Sequence, residues 1–248
     1  MVPKKIKILV TGTTGTLVSE LMDLDTSNYD MVFMSSKKMN ITNIRQVTSV
    51  ISRERPDIVL HCGAKTAPML SHEVDIYDSI NTNIVGTCNL AMACAYRNIK
   101  MVYISTDYVY PSHGLLSNYS EESKAEPFCK YGWSKLGGEC AVRMVKNHLN
   151  LRCSFSKKPF THEKAFCDSF RSYLYVDEIA PLIFQLIEKN ATGVYNVGGE
   201  RRSVLAFAKE TKPDTLGMCT LDQLNNELIP LDSSMDISKM NDFLGIEE

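Results

Sequence analysis

A short apolar run that ends in a glycine-containing turn constrains the fold of this chain more than any other feature. Residues 6–10 (IKILV) are typical of a buried β-strand, and residues 11–15 read TGTTG. A helix is predicted to follow, from about residue 15 to residue 24. Gly12 permits a tight turn, and Gly15 lets the backbone approach a pyrophosphate held at the helix N-terminus. The segment therefore predicts the first unit of a dinucleotide-binding fold, with a plain strand–helix turn as the alternative.

The rest of the chain repeats this alternation of strand and helix. Strands are predicted at residues 31–34, 58–60, 101–104, 151–155 and 194–197, and helices at residues 41–54, 75–97, 130–147 and 176–189. Because the strands are almost continuously apolar, their sheet should be parallel and covered by helices on both faces. The predicted fold class is α/β, a doubly wound parallel sheet of the Rossmann type that binds NAD(P).

Two stretches depart from this pattern. Residues 156–175 are basic, aromatic and poorly periodic, and the last fifty residues contain only short helical fragments. We expect both to form a small substrate lobe over the carboxyl edge of the sheet, where ligands bind in such folds. The predicted domains are therefore a dinucleotide-binding Rossmann domain (1–155) and a substrate-binding lobe (156–248), with residues 176–200 returning to the Rossmann domain.

Composition limits the partners that this chain can have. A net charge of −2 over 248 residues gives no reason to expect nucleic acid or an anionic membrane as a partner. No apolar run approaches the roughly 18 residues of a membrane span, so we expect a soluble, cytoplasmic protein. The eight cysteines include no CxxC pair and no Cys/His cluster with metal-ligand spacing. We expect reduced, mostly buried thiols and no metal site.

A tyrosine and a lysine near the middle of the chain suggest a catalytic function. Tyr131 and Lys135, in the run YGWSK, are four residues apart and would project from one face of a helix. An ammonium group beside a phenol should lower the tyrosine pKa from about 10 toward working pH. Tyr131 would then be a general acid for a carbonyl oxygen. A surface helix that happens to carry both residues is the alternative, and the glycine turn and residues 105–110 (STDYVY) argue against it.

The end of the second strand bears on the choice of cofactor. Residues 35–38 read SSKK and include no acid to bind the ribose hydroxyls of NAD. Two hydroxyls and two ammonium groups suit a 2′-phosphate better. This favours NADP(H) over NAD(H), and a solvated basic turn is the alternative. Asn40 and Ile41 could instead line the adenine.

Taken together, these motifs resemble those of the extended short-chain dehydrogenase/reductase superfamily, and within it the dTDP-4-dehydrorhamnose reductase family. The resemblance covers residues 5–200, and its most specific part is the run STDYV. The other matching segments are residues 11–15, 40–43 (NITN), 55–59 (RPDIV), 83–87 (NIVGT), 131–136 (YGWSKL) and 175–180 (YVDEIA). The chain departs from the family at Val18, where a third glycine is usual, at Asn40 and at Lys65, and it is shorter after residue 153.

The resemblance implies an NAD(P)H-dependent reductase that reduces a nucleoside-diphosphate 4-keto-6-deoxy-sugar in rhamnose biosynthesis. It implies that the catalytic residues are Thr106, which binds the keto oxygen, Tyr131, which protonates it, and Lys135, which holds the nicotinamide ribose. Cofactor-binding residues would be Gly12, Thr14, Gly15, Leu17, Ser35, Ser36, Lys37, Asn40, Ile41, Gly63, Ala64, Lys65, Asn83, Tyr131 and Lys135. Substrate-binding residues would be Thr106, Asp107, Tyr108 and Tyr131.

Tyr108 separates this prediction from a close alternative. In bifunctional epimerase/reductases such as GDP-fucose synthase, the matching position is a cysteine that exchanges a proton beside the ketone. A tyrosine there implies reduction without epimerisation, although Tyr108 could also be only a packing residue. A sugar-nucleotide epimerase or dehydratase, or a bifunctional enzyme, remains the alternative within the superfamily. A non-catalytic regulatory subunit resembling methionine adenosyltransferase beta is the alternative from another class. The resemblance also allows a homodimer.

For several other polar residues, the sequence is compatible with either a structural or a functional role. Histidine is the side chain that ordinarily changes its charge near neutral pH, which makes His61, His113 and His162 candidates for a functional role. An isolated histidine is more often structural, and only His162 is considered as a substrate contact. Lys157 and Lys158 could bind a diphosphate or belong to a solvated basic loop.

Overall fold

The structure is a computed structural model that describes residues 5–112, 118–219 and 228–247. Six strands form its central sheet: β1 (Ile6–Thr11), β2 (Tyr29–Met34), β3 (Ile58–His61), β4 (Lys100–Thr106), β5 (His148–Cys153) and β10 (Gly193–Val197). Their order is β10-β5-β4-β3-β1-β2, and every neighbouring pair is parallel. The predicted parallel sheet is therefore confirmed.

Helices cover both faces of this sheet, as the α/β class requires. The core on one face includes residues of α1 (Thr16–Asp23), α7 (Val176–Glu188) and α9 (Ser238–Leu244). The core on the other face includes residues of α2 (Ile44–Glu54), α5 (Thr87–Arg97) and α6 (Lys130–Val142). Each face thus buries its own hydrophobic cluster.

The strands supply both cores because successive side chains point to opposite faces of a sheet. In β1, Ile8 and Val10 belong to the first core and Leu9 to the second. In β4, Val102 belongs to the first and Met101 to the second. All five side chains are fully buried. This double burial explains why the strands read as continuous apolar runs.

Helix caps explain why some helices begin at other residues than the hydrophobic pattern predicts. α2 begins at Ile44 and not at residue 41, because the Asn43 side chain accepts hydrogen bonds from the backbone N–H groups of Arg45 and Gln46. The predicted helix 75–97 has Asp75 as its cap. It comprises α4 (Ile76–Ser79), a π-helical segment (Ile80–Gly86) and α5.

Other elements also differ from the prediction. α3 (Met69–Val74) was not predicted. The helix predicted at 130–147 ends at Val142. β5 begins at His148 instead of residue 151 and ends at Cys153. These shifts leave the order of elements unchanged.

A small lobe packs beside the sheet and has its own core. Among the described residues, it contains three two-stranded pairings: β6 (Phe155–Ser156) with β9 (Leu174–Tyr175), β7 (Lys164–Phe166) with β12 (Leu216–Met218), and β8 (Phe170–Arg171) with β11 (Arg202–Ser203). α8 (Val204–Lys209) supplies Phe207, which is fully buried against the ring of Tyr175 at 4.2 Å between centroids. The chain returns from the lobe to the central sheet through α7 and β10.

Two expectations from composition can be compared with the described residues. No helix among them is both long enough and apolar enough to cross a bilayer. The cysteines are less uniformly buried than expected. Five are buried or half-buried (Cys62, Cys88, Cys94, Cys129 and Cys153), whereas three are exposed (Cys140, Cys167 and Cys219).

The turn between β1 and α1 requires glycine at position 12. Gly12 has a φ of +79°, in the left-handed region that side chains disfavour. A Cβ atom there would lie 2.7 Å from the backbone nitrogen of Gly63, in the loop after β3. The loop is held in place because the Gly63 N–H donates to the Thr11 hydroxyl at 3.1 Å. The first and third strands therefore meet backbone against backbone at this turn.

We predict that Gly12→Ala lowers the free energy of unfolding by about 1–3 kcal/mol, because it adds a clash to an unfavourable φ. Gly193→Ala is the matched control, since Gly193 has a φ of +90° but open space around its Cα. Denaturant unfolding of both variants measures the difference. Equal losses would contradict the importance of the close contact with Gly63.

Candidate functional site

A cavity of about 460 Å³ opens at the carboxyl ends of β1, β3, β4 and β5. The chain crosses from one side of β1 to the other between β2 and β3, so the cavity lies where the strand order reverses, as in other doubly wound sheets. Ten predicted site residues line it: Gly12, Thr14, Gly15, Leu17, Ala64, Thr106, Asp107, Tyr108, Tyr131 and Lys135. Motifs that are far apart in sequence thus meet in one place.

The glycine turn forms one wall of this cavity. Gly15 caps α1 without any side-chain hydrogen bond, and a Cβ atom at Gly15 would meet only the Gly12 carbonyl oxygen, at 3.2 Å. Thr16 and Leu17, in the first turn of α1, also line the cavity. An uncapped helix N-terminus with free space before it suits a pyrophosphate. Val18, which occupies the usual place of a third glycine, is fully buried in the core.

The opposite wall carries the predicted catalytic residues. Tyr131, on α6, and Thr106, at the end of β4, both line this wall. Thr106 in turn donates to Asp107 Oδ1 at 3.1 Å and accepts from the Tyr108 backbone N–H at 3.3 Å. Thr106 and Tyr131 thus line the same wall of the cavity, where a substrate oxygen could bind.

Lys135 lies one helical turn after Tyr131 and is buried. Its Nζ donates to the Ile104 carbonyl oxygen at 2.7 Å and lies 4.2 Å from the centre of the Tyr103 ring. Burial lowers the pKa of Lys135 to about 8, and the carboxylate of Glu139 opposes this change. The amine is thus held at the floor of the cavity, close to its point of titration near neutrality.

The expectation that Lys135 lowers the pKa of Tyr131 is wrong. Desolvation raises the pKa of the Tyr131 phenol well above its usual value, and the hydrogen bond with Thr106 opposes this rise only in part. The carboxylate of Asp107 raises it further. The phenol is consequently protonated at neutral pH, which is the form that a general acid needs.

Asp107 is buried and holds the end of β4 against the lobe. Its Oδ2 atom accepts hydrogen bonds from Arg171 Nη1 at 3.0 Å, Ser233 Oγ at 2.6 Å and Ser154 Oγ at 3.2 Å. With the bond from Thr106 to Oδ1, the carboxylate has four partners. Asp107 was predicted to bind substrate, but its oxygens are already used inside the protein.

Arg171, on β8, is the main site residue that the sequence did not reveal. Its Nη2 donates to the Tyr108 hydroxyl at 3.1 Å, and its guanidinium lies 4.8 Å from the Tyr108 ring and 5.6 Å from the Tyr173 ring. The Tyr108 ring meets the Tyr131 ring edge-on at 5.5 Å. Arg171 therefore fixes the aromatic wall beside Tyr131. The basic, aromatic character of residues 156–175 was the only signal in the sequence.

Asn83 supports the site without lining the cavity. It accepts a hydrogen bond from the Lys65 N–H at 2.8 Å, and its Nδ2 donates to the Lys65 carbonyl and to Ser134 Oγ, both at 2.9 Å. Ser134 donates to the Tyr131 carbonyl at 2.7 Å. Asn83 thus joins the loop after β3 to the helix of Tyr131. The Lys65 side chain points elsewhere and pairs with Asp78 at 3.6 Å.

The residues predicted to bind the adenosine half lie outside this cavity. Residues 35–38 form a turn after β2, in which Ser35 is half-buried and Ser36, Lys37 and Lys38 are exposed. Asn40 Oδ1 accepts from the Thr42 N–H at 3.0 Å. Ile41 packs on the helix at Gly86, where a Cβ atom would lie 2.7 Å from its Cγ1. These residues sit beyond the end of the strand next to the glycine turn, on the side where the adenosine of a bound dinucleotide would extend.

Of the remaining polar candidates, one is structural and two line a pocket near the site. His61 is fully buried between the hydroxyls of Thr11, at 2.7 Å, and Thr87, at 3.0 Å, and burial lowers its pKa to about 3, so it is structural. His113 lies outside the described residues. Lys157 and Lys158 line a shallow pocket of about 380 Å³ beside the glycine turn.

A second cavity, of about 630 Å³, adjoins the first and is lined mainly by the lobe. Tyr108 and Tyr173 line both cavities, and Arg171 lines the second. His162 is also part of its lining, together with aromatic and basic side chains such as Phe160, Phe166 and Lys164. The two cavities thus meet at the aromatic wall that Arg171 holds.

Comparison with known proteins agrees with this architecture. The chain is 23% identical to the dTDP-4-dehydrorhamnose reductase of Aggregatibacter actinomycetemcomitans, over 97% of this chain and 94% of that protein. It is 26% identical to methionine adenosyltransferase 2 subunit beta of Rattus norvegicus, over 74% of this chain and 62% of that protein. The crystal structure of dTDP-4-dehydrorhamnose reductase from Bacillus anthracis in complex with NADP superposes with a TM-score of 0.86, at 25% identity, over 98% of each chain.

The family assignment rests on nearly the whole chain. The sequence model of the RmlD substrate binding domain family matches residues 6–236, which include the glycine turn, Thr106, Tyr131, Lys135 and Arg171. The resemblance found from the motifs is therefore confirmed, and the chain belongs to the RmlD substrate binding domain family.

Proposed function

We propose that the protein is an NAD(P)H-dependent reductase of a nucleoside-diphosphate 4-keto-6-deoxy-sugar, of the dTDP-4-dehydrorhamnose reductase type, which acts in rhamnose biosynthesis in the cytoplasm. The observation that carries the proposal is the placement of Thr106 and Tyr131 in one cavity with a glycine turn that suits a pyrophosphate. The printed names of the relatives from A. actinomycetemcomitans and B. anthracis support the same activity.

The residues present fit a nicotinamide dinucleotide, which when bound would supply a hydride to the carbonyl carbon. The chain's own task is then to bind and protonate the carbonyl oxygen. Thr106 and Tyr131 present their hydroxyls on one side of the cavity, so both can bind that oxygen as negative charge develops on it. Tyr131, protonated at neutral pH, transfers its proton to the oxygen and completes the alcohol.

The second cavity is the proposed site for the nucleotide part of the substrate. Ligand pockets combine apolar and aromatic walls with a few polar groups that fix orientation. Phe160 and Phe166 offer stacking surfaces, and Lys164 offers positive charge for a diphosphate. The sugar would then reach Tyr131 past Tyr108. In this arrangement residues 1–155 bind the cofactor and supply Thr106 and Tyr131, and residues 156–248 bind the nucleotide part of the substrate, with 176–200 completing the sheet.

NADP(H) is the preferred cofactor in this proposal, with NAD(H) as the alternative. The exposed turn at residues 35–38 follows β2 and offers two hydroxyls and two ammonium groups to a 2′-phosphate. The B. anthracis structure contains NADP.

A non-catalytic regulatory role is a second candidate, because relatives named methionine adenosyltransferase 2 subunit beta match 74% of the chain. The two candidates differ in turnover. A panel of 4-keto-6-deoxy sugars on dTDP, UDP and GDP, assayed by NADPH absorbance, should show oxidation with at least one substrate. Absence of turnover with the whole panel would favour the regulatory role.

We predict that Tyr131→Phe lowers kcat by about 10² to 10⁴, the usual contribution of general acid catalysis. The change removes one hydroxyl and keeps the ring, so the thermal midpoint and the Kd for NADPH should change little. Steady-state NADPH oxidation measures the effect. The matched control is Tyr96→Phe, which alters an exposed tyrosine on α5 and should retain full activity. A parental kcat in Tyr131→Phe would refute the assignment of the proton donor.

We predict that replacing Lys37 and Lys38 by alanine weakens NADPH binding at least about tenfold, because hydrogen bonds to charged groups are worth about 1.5–3 kcal/mol. NADH binding should be unchanged. Fluorescence titration of both cofactors gives the two Kd values, and Lys146→Ala, at another exposed lysine, is the control. Equal weakening of NADPH and NADH would show that the turn does not bind the 2′-phosphate.

We predict that Arg171→Lys lowers kcat by about 10- to 100-fold, because lysine cannot bind Asp107 and Tyr108 at the same time. The Kd for NADPH should be unchanged, since Arg171 does not touch the glycine turn. Arg152→Lys is the matched control, because Arg152 forms an equally buried pair with Glu139 at 2.9 Å. Arg152→Lys should lower the thermal midpoint but keep kcat. If both variants lose kcat equally, Arg171 acts only through stability.

A further inference from the structure

Two exposed cysteines lie side by side on the lobe, away from the catalytic cavity. The Sγ atoms of Cys167 and Cys219 are 3.5 Å apart. Cys167 follows β7 and Cys219 follows β12, and these strands pair in parallel up to Phe166 and Met218. The Cys167 N–H continues the ladder by donating to the Met218 carbonyl at 2.9 Å. The two cysteines therefore occupy the next rung of the same ladder.

This placement meets the backbone requirement of a disulfide. Neighbouring strands of a sheet lie about 4.7–4.9 Å apart, and disulfides span about 4.4–6.8 Å between Cα atoms. The S–S bond length is about 2.05 Å, so rotation of the two side chains is enough to close the remaining gap. Both thiols are exposed and within reach of a dissolved oxidant. Cys140, the third exposed cysteine, lies on α6 and not in the lobe.

We propose that Cys167 and Cys219 form a redox modification site, at which hydrogen peroxide produces a reversible intramolecular disulfide. One thiolate attacks the peroxide, the O–O bond breaks, and a sulfenic acid and one water form. The second thiol attacks the sulfenic sulfur, so that the S–S bond forms and a second water leaves. Each sulfur loses one electron, and the peroxide takes up both. A dithiol reductant restores the two thiols and is itself oxidised to a disulfide.

The bridge would act on the lobe and not on the hydride-transfer site. β7 contributes Ala165 and Phe166 to the second cavity, and Arg171 follows four residues after Cys167. A covalent bond from β7 to β12 would fix one wall of that cavity. Disulfides in reducing compartments are typically transient and redox-sensing, and an exposed pair on a surface ladder fits that use. The proposal does not rest on the reductase activity.

Peptide mapping of the full-length protein tests the proposal. Protein reduced with dithiothreitol and desalted is treated with hydrogen peroxide, blocked with iodoacetamide, and digested without reductant. Mass spectrometry should find the Cys167 and Cys219 peptides joined, with a mass lower by two hydrogen atoms than the sum of the two. A thiol titration should show the loss of two of the eight cysteines. Dithiothreitol should restore both.

Three variants make the result specific. Cys167→Ser and Cys219→Ser should each abolish the joined peptide and the paired loss of thiols, whereas Cys140→Ser should leave both unchanged. Circular dichroism verifies that the variants are folded. Recovery of the two peptides unjoined, with sulfinic or sulfonic acids at either cysteine, would overturn the proposal. Joining of either peptide to another cysteine, or between two protein chains, would also overturn it.

Discussion

The buried ion pair between Asp107 and Arg171 holds the site together. Asp107 directly follows the central strand β4, Arg171 belongs to β8 in the lobe, and Ser233 reaches the same carboxylate from the C-terminal part of the chain. Desolvating two charges is costly unless nearly every polar atom is bonded, and Asp107 has four hydrogen-bond partners. The pair therefore joins the sheet to the lobe at the point where the two cavities meet. Arg171 also binds the Tyr108 hydroxyl, and the Tyr108 ring packs against the Tyr131 ring.

Desolvation shifts the pKa values of Tyr131 and Lys135 in opposite directions. It raises the pKa of the Tyr131 phenol and lowers the pKa of Lys135 to about 8, because in each case it disfavours the charged form. Tyr131 therefore keeps its proton at neutral pH. Lys135 donates to the Ile104 carbonyl, which holds its amine at the cavity floor. In the proposed mechanism Tyr131 acts as a protonated acid, and no phenolate is needed.

Local patterns in the sequence predicted the parts of the structure that depend on local physics. The apolar strands, the glycine turn and the helical spacing of Tyr131 and Lys135 are properties of short segments, and they placed the sheet and most of the cavity. The role of Arg171 could not be predicted, because its partners Asp107 and Ser233 lie 64 and 62 residues away in the sequence. Its own segment also lacks the hydrophobic periodicity of a helix or strand. The predicted direction of the Tyr131 pKa shift was wrong for a related reason. The shift depends on how deeply the phenol is buried, and the whole fold decides that burial.

Isotope transfer from the cofactor shows directly whether the protein reduces a ketone by hydride transfer. With NADPH deuterated at the transferable position of C4 and a 4-keto-6-deoxy sugar nucleotide, we expect one deuterium in the product for each NADPH consumed, located by NMR at the former carbonyl carbon, C4 of the sugar. Consumption of NADPH without deuterium at that carbon would contradict reduction of the ketone by hydride transfer beside Thr106 and Tyr131.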